Sequence, residues 1–250
     1  MTTVLVTGVG AIMGYGVLRS LRAFDKSIRL IGADIYPNAV GQKWSDSFVV
    51  APLTSAVEYL DWLRSAIIKN NVDLIIPCIE QDVKFYSANR ELFRALKVSV
   101  ALNDENLIDL SDDKWLMHEE IIKVNKAYAI PSSLDTNFDR LSNLYGLPFL
   151  LKPRKGYASK GIERIHNVDE LSKFADKIGT DLMVQEIVGS DDEEYTVAVF
   201  GDGLGNISAS ITFRRELAND GSTAKAWVQQ HDSLDAVVST DSFVAKKTLS

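Results

Sequence analysis

Residues 147–161 join a short apolar strand pattern to a basic loop made largely of small residues. The strand pattern ends at Lys152, and the loop that follows contains Lys155, Gly156, Ala158, Ser159, Lys160 and Gly161. Small residues let a backbone fold closely over an anion and direct amide groups toward it, while lysines add positive point charges. The pattern indicates a phosphate-binding loop, with a solvated hairpin tip as the alternative.

A second glycine-containing turn follows the first predicted strand and suggests a rival site. Gly8 and Gly10 lie between that strand and a helix pattern, and Asp34 ends the next strand pattern. In a dinucleotide-binding fold, such glycines admit a pyrophosphate and such an acid binds a ribose. The third glycine of that motif would fall at Met13, which is bulky, and Gly14 comes one residue late. A tight turn is therefore favoured, and an NAD(P)-dependent Rossmann oxidoreductase or epimerase stays as the alternative.

Three further charged residues are candidate ligand contacts. Glu80 follows the apolar run 72–77, at the end of a strand where open α/β sheets bind their ligands, although solvated loop acids are more common at such positions. Glu194 ends an acidic turn directly before a long strand pattern, and its carboxylate could accept hydrogen bonds from both vicinal hydroxyls of a ribose. Arg215 ends the alternating strand pattern 207–215 and is a candidate substrate contact.

Composition excludes several classes of protein. The 250 residues are 46% hydrophobic and 24% charged, as in ordinary globular domains. The formal net charge of -7 argues against a nucleic-acid binder or a protein of anionic membranes, because both need a basic surface. Neither a signal peptide nor a membrane-spanning apolar run is found, so we expect a cytoplasmic protein. The single Cys78 and the separated histidines exclude a disulfide framework and a zinc motif, so any metal should be a hard ion on oxygen ligands.

Two different patterns of elements position these residues. Strand and helix patterns alternate over residues 1–110, which predicts an open parallel sheet of α/β type. Within it we predict a continuous helix over 83–96. Beyond it, Ser111 is predicted to cap a helix with Lys114 in its first turn, and a helix is predicted over 168–178. Mixed strands and helices surround the basic loop there, so the second part is predicted to be a separate α+β unit.

The order of these signals resembles the ATP-grasp superfamily, in particular the large chain of carbamoyl phosphate synthetase. The first 110 residues are similar to its Rossmann-like pre-ATP-grasp domain. Residues 112–114 and 149–153 are similar to its two phosphate-lysine segments. Residues 156–161 are similar to its phosphate-covering loop, and 185–188 and 194–197 to its adenine hinge and ribose-binding strand.

The resemblance implies an ATP-dependent ligase that acts through an acyl phosphate on small carboxylate and amine-type substrates. ATP and Mg²⁺ are its implied cofactors. The implied domains are 1–110, a nucleotide-binding lobe over 111–187 and the start of a second lobe over 188–250. A non-catalytic nucleotide-binding module is a further alternative. The residues implied for ATP binding are Lys114, Lys152, Gly156, Ser159, Lys160, Gly161, Glu186, Ile187, Val188 and Glu194.

Three departures from the family pattern matter. The loop has fewer glycines than the most glycine-rich members, and a longer acidic turn leaves Glu193 as a competitor for the ribose role. The Glu-x-Asn segment that holds magnesium in the family is absent after residue 207, so no metal ligand is assigned. We therefore expect an incomplete ATP-grasp domain, inactive as this fragment, with an unpaired sheet edge that favours self-association into a homo-oligomer.

Overall fold

The computed structural model describes residues 1–156, 160–190, 193–202, 204, 206–218 and 223–229. The chain divides into two compact units, 1–108 and 109–250. The domain boundaries predicted after residues 110 and 187 stay predictions.

The first unit contains a five-stranded, fully parallel sheet in the order β3-β2-β1-β4-β5. Sheets of this kind require helical crossovers, which explains the alternating sequence pattern. The elements are β1 (Thr3–Thr7), α1 (Ile12–Phe24), β2 (Arg29–Asp34), β3 (Ser47–Val50), α2 (Tyr59–Asn70), β4 (Leu74–Ile76), α3 (Glu80–Ala88), α4 (Arg90–Leu96) and β5 (Ser99–Val100), with a 3-10 turn at Val40–Trp44.

All five residues of β1 are buried, because this strand is central in the sheet. Two apolar clusters form, one around Leu5 and Tyr59 and the other around Val6 and Leu18. Leu5 and Val6 are adjacent in a strand and so project to opposite faces, which shows that both faces of the sheet are covered. Cys78 lies in the second cluster, and burial, together with the charge of Asp82, raises the pKa of its thiol to about 11.

Gly14, not residue 13, provides the close approach between α1 and the turn that follows β1. A Cβ atom on Gly14 would lie 2.3 Å from the carbonyl oxygen of Gly8. Met13 is 62% exposed, so its bulk meets no neighbour at this contact. The third glycine of the motif lies at residue 14 instead of 13 because residue 14 is where the helix contacts this turn.

We expect Gly14→Ala to destabilise the first unit by at least about 1 kcal/mol, because the new methyl group meets backbone atoms that cannot rotate away. Gly16→Ala in the same helix is the matched variant, since no atom lies within 4 Å of the position that its new methyl group would occupy. Alanine favours a helix interior over glycine by about 1 kcal/mol, so Gly16→Ala should be neutral or stabilising. Urea unfolding of both variants checks this, and equal stability would contradict it.

Within its described residues, the second unit contains two antiparallel sheets, in the orders β6-β9-β7-β8 and β10-β11-β12. Leu141, Phe149 and Leu151 belong to the apolar cluster that packs helix α7 against the first of these sheets. Helix α5 (Glu105–Asp112) spans the division between the units. The later elements are α6 (Lys114–Asn125), β6 (Ser132–Ser133), α7 (Phe138–Tyr145), β7 (Phe149–Pro153), β8 (Glu163–Ile165), α8 (Val168–Ser172), β9 (Leu182–Gln185), β10 (Glu194–Gly201), β11 (Ile207–Leu217) and β12 (Thr223–Val228).

Three predictions of helix limits are wrong. The helix predicted over 83–96 is two helices, broken at Asn89, whose side chain donates to the Phe85 carbonyl and competes with the backbone for it. The helix predicted over 168–178 ends at Ser172 and continues as turns. Ser111 lies inside α5, and Asp113 caps the next helix instead.

None of the helices in the described part of the chain is both long and apolar enough to cross a membrane.

Candidate functional site

Lys152 is held in place by a chain of polar side chains from three strands. It lies in β7, and its Nζ donates a hydrogen bond of 2.5 Å to Oε1 of Gln185 in β9. The amide nitrogen of Gln185 donates in turn to Oγ of Ser132 in β6, at 2.9 Å. Gln185 is buried, so it holds the lysine in a fixed position. Because the glutamine amide is uncharged, the charge of Lys152 is not neutralised.

Lys152 and Lys114 lie close enough to repel each other. Burial lowers the pKa of Lys152, and the positive charge of Lys114 lowers it further. Lys152 also helps to lower the pKa of the buried His118, for which burial is the main cause. Across the described residues, neither lysine forms an ion pair with a carboxylate. Two neighbouring cations of this kind favour the binding of an anion between them.

Lys114 attaches the start of α6 to the start of the basic loop. Its backbone N–H donates to the carbonyl of Arg154 at 2.9 Å, and its Nζ donates to the carbonyl of Gly156 at 2.7 Å. These contacts place a lysine in the first turn of α6, where the helix dipole disfavours a positive charge. The two predicted phosphate lysines lie together at the base of the loop.

A salt bridge between Asp113 and Arg154 also connects the start of α6 to the residue that follows β7. Nε and Nη2 of Arg154 donate to the two carboxylate oxygens at 3.1 and 2.7 Å, and Nη1 donates to the carbonyl of Gly179 at 2.6 Å. Asp113 also accepts the backbone N–H groups of Trp115 and Leu116. Burial opposes ionisation of Asp113, but the bonds from Arg154 and the helix amides outweigh it and lower the pKa.

Sequence analysis missed this pair and the role of Gln185. A capping acid directly before a helix was a usable signal for Asp113. Its pairing with Arg154, 41 residues away, had no local signal.

Glycines lie on both sides of the loop where the backbone requires them. Gly156 has φ +117° and Gly161 has φ +74°, conformations that other residues rarely adopt. Lys160 is exposed beside Gly161. Ser159, the remaining predicted loop residue, lies outside the described residues.

The predicted adenine hinge follows β9. The backbone N–H of Glu186 donates to the carbonyl of Pro131 at 3.0 Å, which ties the hinge to the segment before β6. Within the described structure, the backbone amides of Ile187 and Val188 make no hydrogen bond. Val188 is 51% exposed, and Ile187 is half-buried.

Glu194 and Arg215 face each other across strands β10 and β11 and form an ion pair of 2.5 Å. Arg215 also donates to Oγ1 of Thr223 at 3.0 Å. The structure thus joins the predicted ribose and substrate residues to each other. Glu193 lies in the preceding turn, where its N–H donates to the carbonyl of Ser190.

Glu80 belongs to the first unit, at the start of α3. Its carboxylate lies 3.0 Å from Nζ of Lys84, one helical turn later, and both side chains are substantially exposed. This is the arrangement of an ordinary helix-surface ion pair. A substrate role for Glu80 stays a prediction.

Magnesium is implied by the family resemblance, and it is held in proteins mainly by oxygen ligands such as carboxylates. Among the residues that the structure describes, no three His, Cys, Asp or Glu side chains converge as metal ligands.

Comparison with known proteins gives one family match. Residues 4–101 match the model of the PylC-like N-terminal domain. This range covers the strands and helices of the first unit. No curated protein sequence matches the chain.

Solved structures resemble the whole chain. An N5-carboxyaminoimidazole synthetase from Staphylococcus aureus, complexed with ADP, aligns with a TM-score of 0.68 and 17% identity over 99% of this chain and 62% of its own. The biotin carboxylase domain of a 2-oxoglutarate carboxylase from Hydrogenobacter thermophilus gives 0.70 and 18%, over 99% and 58%. An L-amino acid ligase from Bacillus licheniformis gives 0.64 and 13%, over 100% and 60%.

The present chain thus spans about three fifths of the length of these proteins. Identities of this size carry information on the fold alone. A parallel sheet followed by antiparallel sheets agrees with the α/β and α+β units predicted from the sequence. The chain has the ATP-grasp fold.

Proposed function

We propose that the second unit binds ATP, with Lys114 and Lys152 contacting its phosphates. The observation that carries this proposal is the pair of neighbouring lysines, which no carboxylate neutralises in the described structure. A polyphosphate would relieve their repulsion, since each lysine offers an ammonium group to an anionic oxygen. The glycine-bounded loop that begins at Gly156 is attached to Lys114, so it starts beside the same anion.

The other parts of a nucleotide site have candidates in the same unit. The uncommitted amides of Ile187 and Val188 would bond the edge of adenine, as the family resemblance implies. Glu194, which is ion-paired with Arg215, would accept the ribose hydroxyls. Loop residues Ser159, Lys160 and Gly161 would close over the phosphates.

The reaction proposed for the complete protein is an ATP-dependent ligation. ATP would phosphorylate a small carboxylate, and an amine or similar nucleophile would then displace phosphate from the acyl phosphate. The chain's own lysines would contribute by binding the phosphates and offsetting their charge. Mg²⁺ would be a cofactor of this reaction. A cytoplasmic location is part of the proposal and agrees with the single, buried, reduced cysteine.

Calorimetric titration with ATP, ADP and NADH tests the nucleotide assignment. We expect heat of binding from ATP and ADP and none from NADH. The glycine turn of the first unit is unsuited to a pyrophosphate, because the N–H groups of Val9, Gly10 and Ala11 already donate to protein oxygens. Binding of NADH without any response to ATP would overturn the proposal.

A further inference from the structure

The first unit contains a cavity of about 1070 Å³ that the proposed ATP site does not use. It opens at the carboxyl ends of β1 and β2 and is bounded on another side by the start of α3. Strand order reverses between β1 and β4, so the cavity occupies the position where open parallel sheets bind ligands. Its walls are mainly apolar, and they include Leu53, Ile79 and Phe85.

Asp82 is the unusual group in this cavity. The residue is 3% exposed, and its Oδ1 accepts hydrogen bonds from Thr54 Oγ1 at 2.5 Å and from Tyr59 Oη at 3.1 Å. In the described part of the chain, Oδ2 accepts no hydrogen bond and the carboxylate has no cationic partner. A buried carboxylate without a cation is costly, so the site is complementary to a positive charge.

A second polar group in the cavity also lacks a partner. Oγ1 of Thr7, at the end of β1, is buried and makes no hydrogen bond with any described residue. This hydroxyl is enclosed by protein, so Oδ2 of Asp82 is the acceptor that remains for a ligand. An ammonium group has three N–H donors and could use this oxygen.

The other charged groups of the cavity, and the hydrogen bonds already made there, argue against a phosphate, a divalent cation or a guanidinium as the ligand. Asp34 lines the cavity, but its two oxygens accept the backbone amides of Gly10 and Tyr36, which removes an amide that a phosphate would need. Lys84, at the rim, is ion-paired with Glu80. A divalent cation would need a group of ligands that the described residues do not form. A guanidinium fork prefers two free carboxylate oxygens, and Oδ1 is already occupied.

We propose that this cavity binds a small primary amine in its ammonium form, with the charge at Asp82 and an apolar body against the cavity walls. The inference deepens the proposed function, and it rests on that function only in identifying the amine as an acceptor substrate. Binding itself requires no nucleotide.

Titration without ATP tests the proposal on the 250-residue chain. The probes are pentylammonium, pentan-1-ol and pentanoate, which share an apolar body and differ in charge. We expect pentylammonium to bind at least tenfold more tightly than the other two, and to shift the ring NMR signals of Tyr59 and Phe85. Equal binding of the alcohol, tighter binding of the carboxylate, or no binding of the amine would each overturn the proposal.

Asp82→Asn should reduce amine binding by tenfold or more while keeping an acceptor for Thr54 and Tyr59. Glu91→Gln is the matched variant, because it removes the same charge from an exposed position on α4 and should leave binding unchanged. Undiminished binding by Asp82→Asn would overturn the proposal. If that variant fails to fold, the three-probe comparison on the unaltered protein still decides. ATP binding is measured on the same samples. Absence of amine binding with ATP binding present would overturn this inference alone, whereas absence of ATP binding would overturn the proposed function.

Discussion

Replacing Lys152 with alanine should weaken ATP binding by about ten- to a hundredfold, because a charge-assisted hydrogen bond contributes roughly 1.5–3 kcal/mol. Lys152 is partly buried and held by Gln185, so little entropy is lost when it meets a phosphate. Calorimetry at one fixed salt concentration provides the measurement. Fixed salt is necessary because screening changes the strength of exposed charge interactions.

Lys123→Ala is the matched variant for this experiment. Lys123 is an exposed lysine of α6, ion-paired with Glu120, and it has no part in the proposed site. Its removal should leave ATP affinity unchanged. Equal loss of affinity in both variants would show that net charge, and not the phosphate contact, governs binding.

Asp113→Ala should destabilise the second unit by about 3 kcal/mol. The change leaves the Arg154 guanidinium with only its bond to Gly179, and it also removes the cap of α6. Breaking a buried ion pair costs about 3–5 kcal/mol and losing a cap about 1 kcal/mol. We expect a loss at the low end of the range for buried ion pairs, because both side chains retain some contact with solvent. Denaturant unfolding gives the value.

Asp113→Asn separates the two contributions. Asparagine is a good helix cap, so this variant keeps the cap and loses the charge. It should fall between the native chain and Asp113→Ala at neutral pH. Folding lowers the pKa of Asp113, so its ionic stabilisation is present above the unfolded pKa of about 3.9 and is lost as pH falls through the lower folded value. A stability difference between the native chain and Asp113→Asn that persists in strong acid would contradict this account.

Local sequence patterns were sufficient for most of the secondary structure. Strand β1, the glycine turn and helix α1 were predicted because apolar runs and glycines act on neighbouring residues. The same holds for β7 and for Lys152 at its end. Helix limits were less well predicted, as at Asn89, where a side chain competes with the backbone through a bond that periodicity does not reveal.

The candidate site was predicted as a set of residues but not as a set of contacts. Sequence patterns pointed to Lys152 and the glycines of the loop, because phosphate binding restricts residue types over short spacings, and the family resemblance added Lys114. Their role in binding stays a prediction. Only the tertiary structure decided that Gln185 holds Lys152 from 33 residues away and that Glu194 meets Arg215. Strand register determines both contacts, and register depends on the packing of the whole sheet. The burial of Asp82 was likewise decided by the helices and strands that surround it, which no local pattern encodes.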